Sequence, residues 1–308
     1  MATNESTVEL RESVCLDDRY ATTRVVVPLT DEGTSGKTRG NAPLCGGLRA
    51  RGYGKMSRLG KPLISVIMPV FNGAGTLEDS MLSVLSQRYD MVEYLVIDGG
   101  STDGTLDLIS KFDEYIDYWE SGPDSGIYDA MNKGLELARG DWIIFLGCDD
   151  ILLNCFHAVA PMLQDRATVY YGDVYMPASH KLYGGKFDPY KLMCRNIPHQ
   201  AMFYPRLVVD KYRYDLTYRL LSDYHYNIRC FNDPELHFHY LPILVSVYND
   251  FDGLTARSGD PSFEADKEDI LRAFFPQREY LAYRLRTFLK RFEKRYVRGF
   301  AKALRRKK

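Results

Sequence analysis

The chain has 308 residues, 45% of them hydrophobic, and a formal net charge of −1, enough for one large folded unit with additions or for two small ones. Near-neutrality gives no global pull toward nucleic acid, and no apolar run approaches the roughly 20 residues needed to span a bilayer. Cys15, Cys45, Cys148, Cys155, Cys194 and Cys230 show no C-x-x-C spacing, which argues against a zinc site or disulfide framework. With no basic-then-apolar leader, the chain reads as cytoplasmic.

Residues 1–60 read as a poorly ordered leader. Asp31 to Lys37 is polar and Gly-rich, and only Arg24–Pro28 suggests an isolated strand, which alone buries little. Met56, just ahead of the first convincing strand, is a candidate start of translation. The pattern changes at Pro62. Ile64–Pro69 is a β-branched apolar run, as in a strand buried on both faces. Thr76 stands where it would cap a helix through about Gln87, with Leu77, Met81, Val84 and Leu85 on one side. Tyr94–Ile97 is a second buried strand ending at Asp98, followed by a helix over Thr105–Phe112 and a weaker strand over Ile116–Trp119. Ser125 stands to cap a helix through Ala138, stopped by Gly140. Trp142–Leu146 is the next strand, and Asp149-Asp150 follow it. This β-α-β-α-β-α-β order calls for right-handed crossovers and a mainly parallel sheet.

After Asp150 the alternation loosens. Strands are expected at Thr168–Tyr171 and Leu241–Val247, with aromatic-rich loops and a helix over about Ser222–Cys230 between them. Glu279 to Lys308 carries twelve Lys and Arg against two Glu, a local charge of +10. Leu281, Leu285, Phe288, Phe292, Tyr296, Phe300 and Leu304 recur there at helical spacing. A basic amphipathic helix of this kind suits an anionic membrane surface; packing on the rest of the chain, or on a second copy, is the alternative.

Ligands of open parallel sheets bind outside the carboxyl ends of the strands, where strand order reverses. Three strands here lead into Pro69-Val70-Phe71-Asn72, Asp98-Gly99-Gly100-Ser101-Thr102-Asp103-Gly104 and Gly147-Cys148-Asp149-Asp150, so these segments are expected on one rim. Carboxylates alone repel phosphate, so a hard divalent cation bridging a diphosphate is implied. Bland readings stand beside this one: Asp98 as a turn cap and Asp223 as a helix N-terminal residue. Gly73-Ala74-Gly75 is no dinucleotide fingerprint, because Glu78 sits where a third glycine belongs.

Taken in series, Ser65–Asn72, Asp98–Thr105 and Asp149-Asp150 resemble the family 2 glycosyltransferases over about residues 62–255. Asp124-Ser125-Gly126-Ile127-Tyr128-Asp129-Ala130-Met131-Asn132-Lys133-Gly134 is similar to a sub-branch of bacterial polysaccharide clusters that includes colanic-acid glycosyltransferases. The resemblance implies an α/β fold of GT-A type, a Rossmann-like, mainly parallel sheet with helices on both faces and an acceptor-side subregion. The implied division is a leader over 1–60, a domain over 61–255 (donor half 61–150, acceptor half 151–255) and a helical extension over 256–308. The implied activity is inverting transfer of a sugar from a nucleotide-sugar donor, UDP-sugars favoured, to a carbohydrate or lipid-linked acceptor in surface-polysaccharide biosynthesis. Mg2+ or Mn2+ would assist.

By position, Pro69 and Phe71 match residues lining the nucleoside pocket, and Asp98 matches the acid that hydrogen-bonds the donor base, with Asp103 assisting. Asp149-Asp150 match the metal motif in a G-x-D-D form, Asp150 as the direct ligand and Asp149 toward the ribose or sugar. Asp223 matches the catalytic acid, although the E-D pair of many members is absent here. Lack of a Q-x-x-R-W motif argues against a polymerising synthase. His199-Gln200 resembles an acceptor-side segment, a minority candidate for touching diphosphate or acceptor; Asn249-Asp250 reads as donor-site lining or a plain turn. The competing classes are an inactive nucleotide- or glycan-binding scaffold and a nucleotidyltransferase. Against the latter, Phe71–Thr76 holds no Lys or Arg for a phosphate loop.

Overall fold

The computed structural model describes residues 11–13, 24–29, 43–251 and 259–305. Cys15, the stretch from Asp31 to Lys37 and the last three basic residues lie outside them.

Ahead of Pro62 the described chain forms β1 (Arg11–Ser13), β2 (Arg24–Pro28), β3 (Leu44–Gly46) and β4 (Tyr53–Gly54). β1, β2 and β4 make a three-stranded antiparallel sheet, with Val26 and Val27 buried. β3 instead joins the edge of the main sheet. The poorly ordered leader expected over 1–60 is thereby corrected for residues 43–60. Their anchorage is ionic and long-range, which local composition does not reveal. Arg49 pairs with Glu93, Lys55 Nζ donates to Asp117 at 2.7 Å, and all four side chains are largely or fully buried. A chain begun at Met56 would lose both cations, and breaking one buried pair costs about 3–5 kcal/mol.

Next come β5 (Ile64–Val70), α1 (Leu77–Leu85), β6 (Val92–Asp98), α2 (Thr105–Lys111), β7 (Tyr118–Ser121), α3 (Ile127–Leu137) and β8 (Trp142–Phe145). These strands lie side by side as β7-β6-β5-β8, all parallel. Chain order therefore reverses beside β5, and the carboxyl ends of β5 and β8 flank the switch point. Strand periodicity of two serves both faces. Val66, Met68, Tyr94 and Val96 pack with α1 and α2, while Ile67, Leu95 and Ile97 pack with Tyr128, Met131 and Leu135 of α3. Two boundaries move for identifiable reasons. β7 starts at Tyr118, since the carbonyls of Ile116 and Asp117 accept from Leu48 and Arg49 N–H instead. Ser125 does not cap α3; Gly126 holds the cap position, and Asp129 Oδ2 reaches back to Ser125 N–H at 3.0 Å.

The second half adds β9 (Ile151–Leu152), α4 (Phe156–Val159), β10 (Thr168–Met176), β11 (Lys181–Tyr183), α5 (Pro189–Cys194), β12 (Met202–Pro205), α6 (Arg206–Lys211), α7 (Ser222–Phe231) and β13 (His237–Val247). β12 pairs antiparallel with β8 and carries the sheet on through β10, β13 and β9. One continuous sheet thus spans both halves, so whatever lies beyond β8 is held rigidly against the parallel layer.

α8 (Pro261–Phe274) begins at Asp260, whose carboxylate accepts from Phe263 N–H and from Leu220 and Leu221 N–H at 2.8 and 3.1 Å. Phe263 is fully buried in the same core as Tyr224 and Ile228 of α7. The domain therefore continues past residue 255, and the extension expected over 256–308 is corrected to its last helix, α9 (Gln277–Arg305). The helix is there as its periodicity predicted. Leu281, Leu285, Phe288, Leu289 and Phe292 along it are each more than half exposed.

Candidate active site

The loops after β5 and β6 lace together at the rim. Asn72, in the left-handed region at φ 51° that Asn tolerates, donates its N–H to Ser101 Oγ at 2.7 Å and accepts from Thr102 N–H at 2.9 Å. Asp103 accepts from Ala74 N–H at 3.0 Å and from the Thr105 hydroxyl at 2.6 Å; that hydroxyl, more than any other group, holds its carboxyl below the usual range. Asp98 ends β6 with its side chain buried. Its carboxylate accepts from Gly100 N–H at 3.2 Å, Ser101 N–H at 3.0 Å, Ser121 Oγ at 2.6 Å and the Ser101 hydroxyl. A donor base would have to compete with these four for the role expected of Asp98. Pro69 is buried inside β5, and the Phe71 ring is largely exposed at its end.

A cavity of about 330 Å³ opens between the end of β8 and the second half, lined by Gly147, Asp149, Asp150, His199, Asn249 and Asp223 among others. Asp150 is almost wholly buried. Its two oxygens accept from Asn249 N–H at 2.8 Å and Gln200 Nε2 at 2.9 Å. Burial, and then the Asp149 carboxylate beside it, push its carboxyl up to about 6. Asp149 is less enclosed and accepts from Asn249 Nδ2 at 3.1 Å. Burial raises the adjacent Cys148 thiol to about 12, so it is no nucleophile near neutral pH.

These residues fit a divalent cation. A Cβ at Gly147 would fall 2.8 Å from Asp150 Oδ2 and 2.9 Å from Asp149 Oδ1, so the absent side chain leaves a hollow onto which both carboxylates converge. No cluster of three or more His, Cys, Asp or Glu able to hold a metal occurs among the described residues. A cation there would complete its shell from a ligand's phosphate oxygens and water, as hard ions commonly do.

Asp223 stands in the first turn of α7, largely buried, on the same cavity. Oδ1 accepts from the Tyr128 hydroxyl at 3.0 Å and Tyr224 N–H at 2.8 Å; Oδ2 accepts from Asn196 Nδ2 at 2.7 Å and lies 3.1 Å from His199 Nδ1. Burial, then the neighbouring Asp223, raise the Tyr128 phenol well above its ordinary value, so it remains a donor.

The fold thus brings Asp149, Asp150 and Asp223 to one cavity, while Pro69, Phe71, Asp98 and Asp103 stand outside its walls at the ends of β5 and β6. Sequence reasoning gave Tyr128 and Asn196 no role. Tyr128 lay inside the Asp124–Gly134 motif, which was the available signal; Asn196 carried none. The chain matches the model of Glycosyl transferase family 2 across residues 65–231, more than half its length.

The chain belongs to glycosyl transferase family 2. A PGL/p-HBAD biosynthesis glycosyltransferase of Mycobacterium bovis is 38% identical over 213 residues, 66% of this chain and 82% of that one. An uncharacterized glycosyltransferase of Haemophilus influenzae is 41% identical over 96 residues, 30% of this chain and 38% of that one. Among solved structures, S. aureus TarS 1-349 in complex with UDP-GlcNAc has TM-score 0.54 at 16% identity, covering 69% of this chain and 71% of that one. The Pyrobaculum calidifontis mannosyltransferase PcManGT, in complex with GDP-Man and Mn2+, has TM-score 0.52 at 16% identity over 79% and 81%. At that identity they establish the fold. This family 2 glycosyltransferase therefore carries a GT-A sheet with its acidic cavity at the switch point.

Proposed function

We propose that this glycosyltransferase transfers a sugar, with inversion at the anomeric carbon, from a nucleotide-diphosphate sugar to a hydroxyl of a glycan or lipid-linked acceptor. The observation that carries the reading is the meeting of Asp149, Asp150 and Asp223 in one cavity. Inversion needs the acceptor oxygen to approach opposite the departing nucleotide. A sugar hydroxyl is a weak nucleophile at neutral pH, and a base in reach contributes ~10²–10⁴-fold. Asp223 is the carboxylate on which that deprotonation depends. Tyr128, Asn196 and the α7 backbone fix its orientation, and Val174, Met176 and Tyr248 are among the residues that line the same cavity.

Bound Mg2+ or Mn2+ would neutralise charge on the leaving diphosphate. Asp149 and Asp150 would hold it, and the geometry favours a reversed division of labour. Asp150, expected as the direct ligand, already accepts on both oxygens, whereas Asp149 is the more accessible carboxylate. Asp149 is then the first ligand, and Asp150 shares the hollow at Gly147 and fixes its shape. Pro69, Phe71, Asp98 and Asp103 would frame the nucleoside at the neighbouring strand ends, Asp98 and Asp103 chiefly by holding the loop. UDP is the favoured nucleotide, supported by the TarS complex; the GDP-Man complex of the second neighbour keeps GDP in the test.

A cytoplasmic-face, peripheral placement is supported by α9. No helix among the described residues is long and apolar enough to cross a membrane. The apolar stripe of α9 is exposed within a strongly basic segment, and the helix rests on α5: Tyr190 contacts the Tyr283 ring and lies under Arg286 at 4.7 Å and Lys290 at 5.5 Å. α5 leads within two residues to Asn196, which bonds Asp223. Docked on an anionic bilayer, the helix would hold the acceptor side of the cavity near lipid-linked substrate, in keeping with the biosynthetic role named for the mycobacterial relative. A thermal-shift panel of UDP-, GDP- and dTDP-sugars with and without Mn2+ tests the donor reading. A metal-dependent rise with one nucleotide class is expected; no response to any donor would overturn it.

A further inference from the structure

We infer that Arg195 holds a phosphate that joins the acceptor sugar to its lipid, on a basic and aromatic strip running from the cavity wall to α9. The inference rests on the lipid-linked acceptor proposed above and names the charged group by which that acceptor is recognised.

Arg195 directly follows α5 and is exposed. Its guanidinium lies 4.5 Å from the centre of the Tyr183 ring and 5.6 Å from that of Phe187, and it pairs with no carboxylate among the described residues. Stacking on rings fixes the guanidinium plane and leaves its N–H edges for an anion, which they can grip with two hydrogen bonds. Tyr183 is part of the cavity wall, and its hydroxyl donates to the Asn196 carbonyl at 2.9 Å. Asn196 in turn donates to Asp223. An anion on Arg195 therefore sits beside the Asp223 side of the cavity.

Three more cations extend the strip. Lys191 Nζ lies 4.1 Å from the Phe187 ring centre and donates to the carbonyls of Gly184, Gly185 and Lys186, so it holds that loop and adds charge. The acids that act on it, Asp173 and Asp188, are themselves occupied: Asp173 accepts from Gly185 N–H and the Tyr240 hydroxyl, and Asp188 from Lys191 N–H. Arg286 and Lys290 of α9 stand over the Tyr190 ring of α5, and neither has a carboxylate partner among the described residues. Their chain neighbours Leu285 and Leu289 belong to the exposed apolar stripe. Cations gathered without counter-charge repel one another, and a bound phosphate relieves this.

Order along the surface selects the ligand. An acceptor built as acyl chain, phosphate and sugar presents those groups in sequence. The protein presents the apolar stripe of α9, the cations over Tyr190 and Tyr183, and the cavity with Asp223 in the same sequence. A carboxylate on the sugar alone would not account for cations that continue as far as the stripe.

The test uses the full chain with EDTA present, so that phosphate cannot enter through a cation at Asp149 and Asp150. Phosphatidylcholine vesicles carrying undecaprenyl phosphate are compared with vesicles carrying phosphatidylglycerol at equal surface charge, and with vesicles carrying undecaprenol. Wild type is expected to bind the undecaprenyl phosphate vesicles at least about tenfold more tightly than either of the others, and Arg195→Gln to lose that preference while phosphatidylglycerol binding stays within about twofold. Equal binding to the two charged vesicles would overturn the site and leave only general attraction to anionic headgroups. Equal binding to undecaprenol, no binding to any vesicle, or a preference that survives in both Arg195→Gln and Arg286→Gln would overturn it as well. No nucleotide enters these measurements, so failure of every donor in the thermal-shift panel would count against the transferase reading while the vesicle preference still decides the role of Arg195.

Discussion

His199 and Gln200 are sequence neighbours that hold different acids: His199 Nδ1 lies 3.1 Å from Asp223 Oδ2, and Gln200 Nε2 donates to Asp150 Oδ2 at 2.9 Å. One short turn, His199–Ala201, therefore links the Asp150 and Asp223 sides of the cavity. The two acids are 73 positions apart in the chain, and this turn makes them one site. Packing of the turn, rather than either carboxylate alone, sets the relative placement of the two acids.

The hollow at Gly147 gives a direct test of the cation seat. Gly147→Ala puts a methyl 2.8 and 2.9 Å from two carboxylate oxygens, and Asp150 is tied by two hydrogen bonds and cannot easily yield. Calorimetric titration of UDP with Mn2+ should show affinity weakened by at least about tenfold, some 1.4 kcal/mol. Unchanged affinity would mean the cation does not sit there.

The apolar stripe of α9 predicts lipid-selective binding. The protein should sediment with phosphatidylcholine vesicles containing phosphatidylglycerol, bind less at high salt, and bind pure phosphatidylcholine weakly. Leu285→Glu with Phe288→Glu removes two side chains worth about 1.5–3 kcal/mol each when buried, so the pelleted fraction should collapse. A concentration-dependent dimer that the same changes dissociate, with no vesicle binding, would assign the stripe to a second copy instead.

The segment before Pro62 should matter to stability. Lys55→Met leaves Asp117 buried without its lysine, and urea denaturation should show a loss of about 3–5 kcal/mol. A loss under 1 kcal/mol would mean that residues 43–60 are only loosely attached to the sheet.

Asp113 predicts an acid-side pH dependence. Burial pushes its carboxyl up, but Trp119 Nε1–H at 2.6 Å, Gly47 N–H at 2.7 Å and Arg51 together outweigh this and leave it below 3.8. The folded value is depressed, so its stabilisation is complete above the unfolded value and is lost as pH falls through the folded one. Asp113→Asn should lower stability at pH 7 by about 1–2 kcal/mol, since hydrogen bonds to a charged acceptor are replaced by weaker ones. The difference from wild type should shrink below about pH 4. An equal difference at pH 7 and pH 3 would exclude the charge as its origin.

The parallel layer and the rim were legible in the residues alone. Ile64–Pro69, Tyr94–Ile97 and Trp142–Leu146 are buried on both faces, so an unbroken apolar run announces each strand, and the polar segments after them announce a ligand-binding edge. Asp149 and Asp150 stood out because they follow a buried strand onto that edge, and Asp223 only through its match to the family's catalytic position. What sequence could not supply was anything made by contacts between distant segments. Met202–Pro205 is too short to show a period, yet it joins both halves of the sheet. Arg49 and Lys55 sit in a stretch that reads as loose, yet their partners Glu93 and Asp117 lie 44 and 62 residues away. The surroundings of Asp223 come from two distant segments, one contributing Tyr128 and the other Asn196 and His199. Local pattern encodes periodicity and burial; the identity of a side chain's neighbours is settled only when the chain closes on itself.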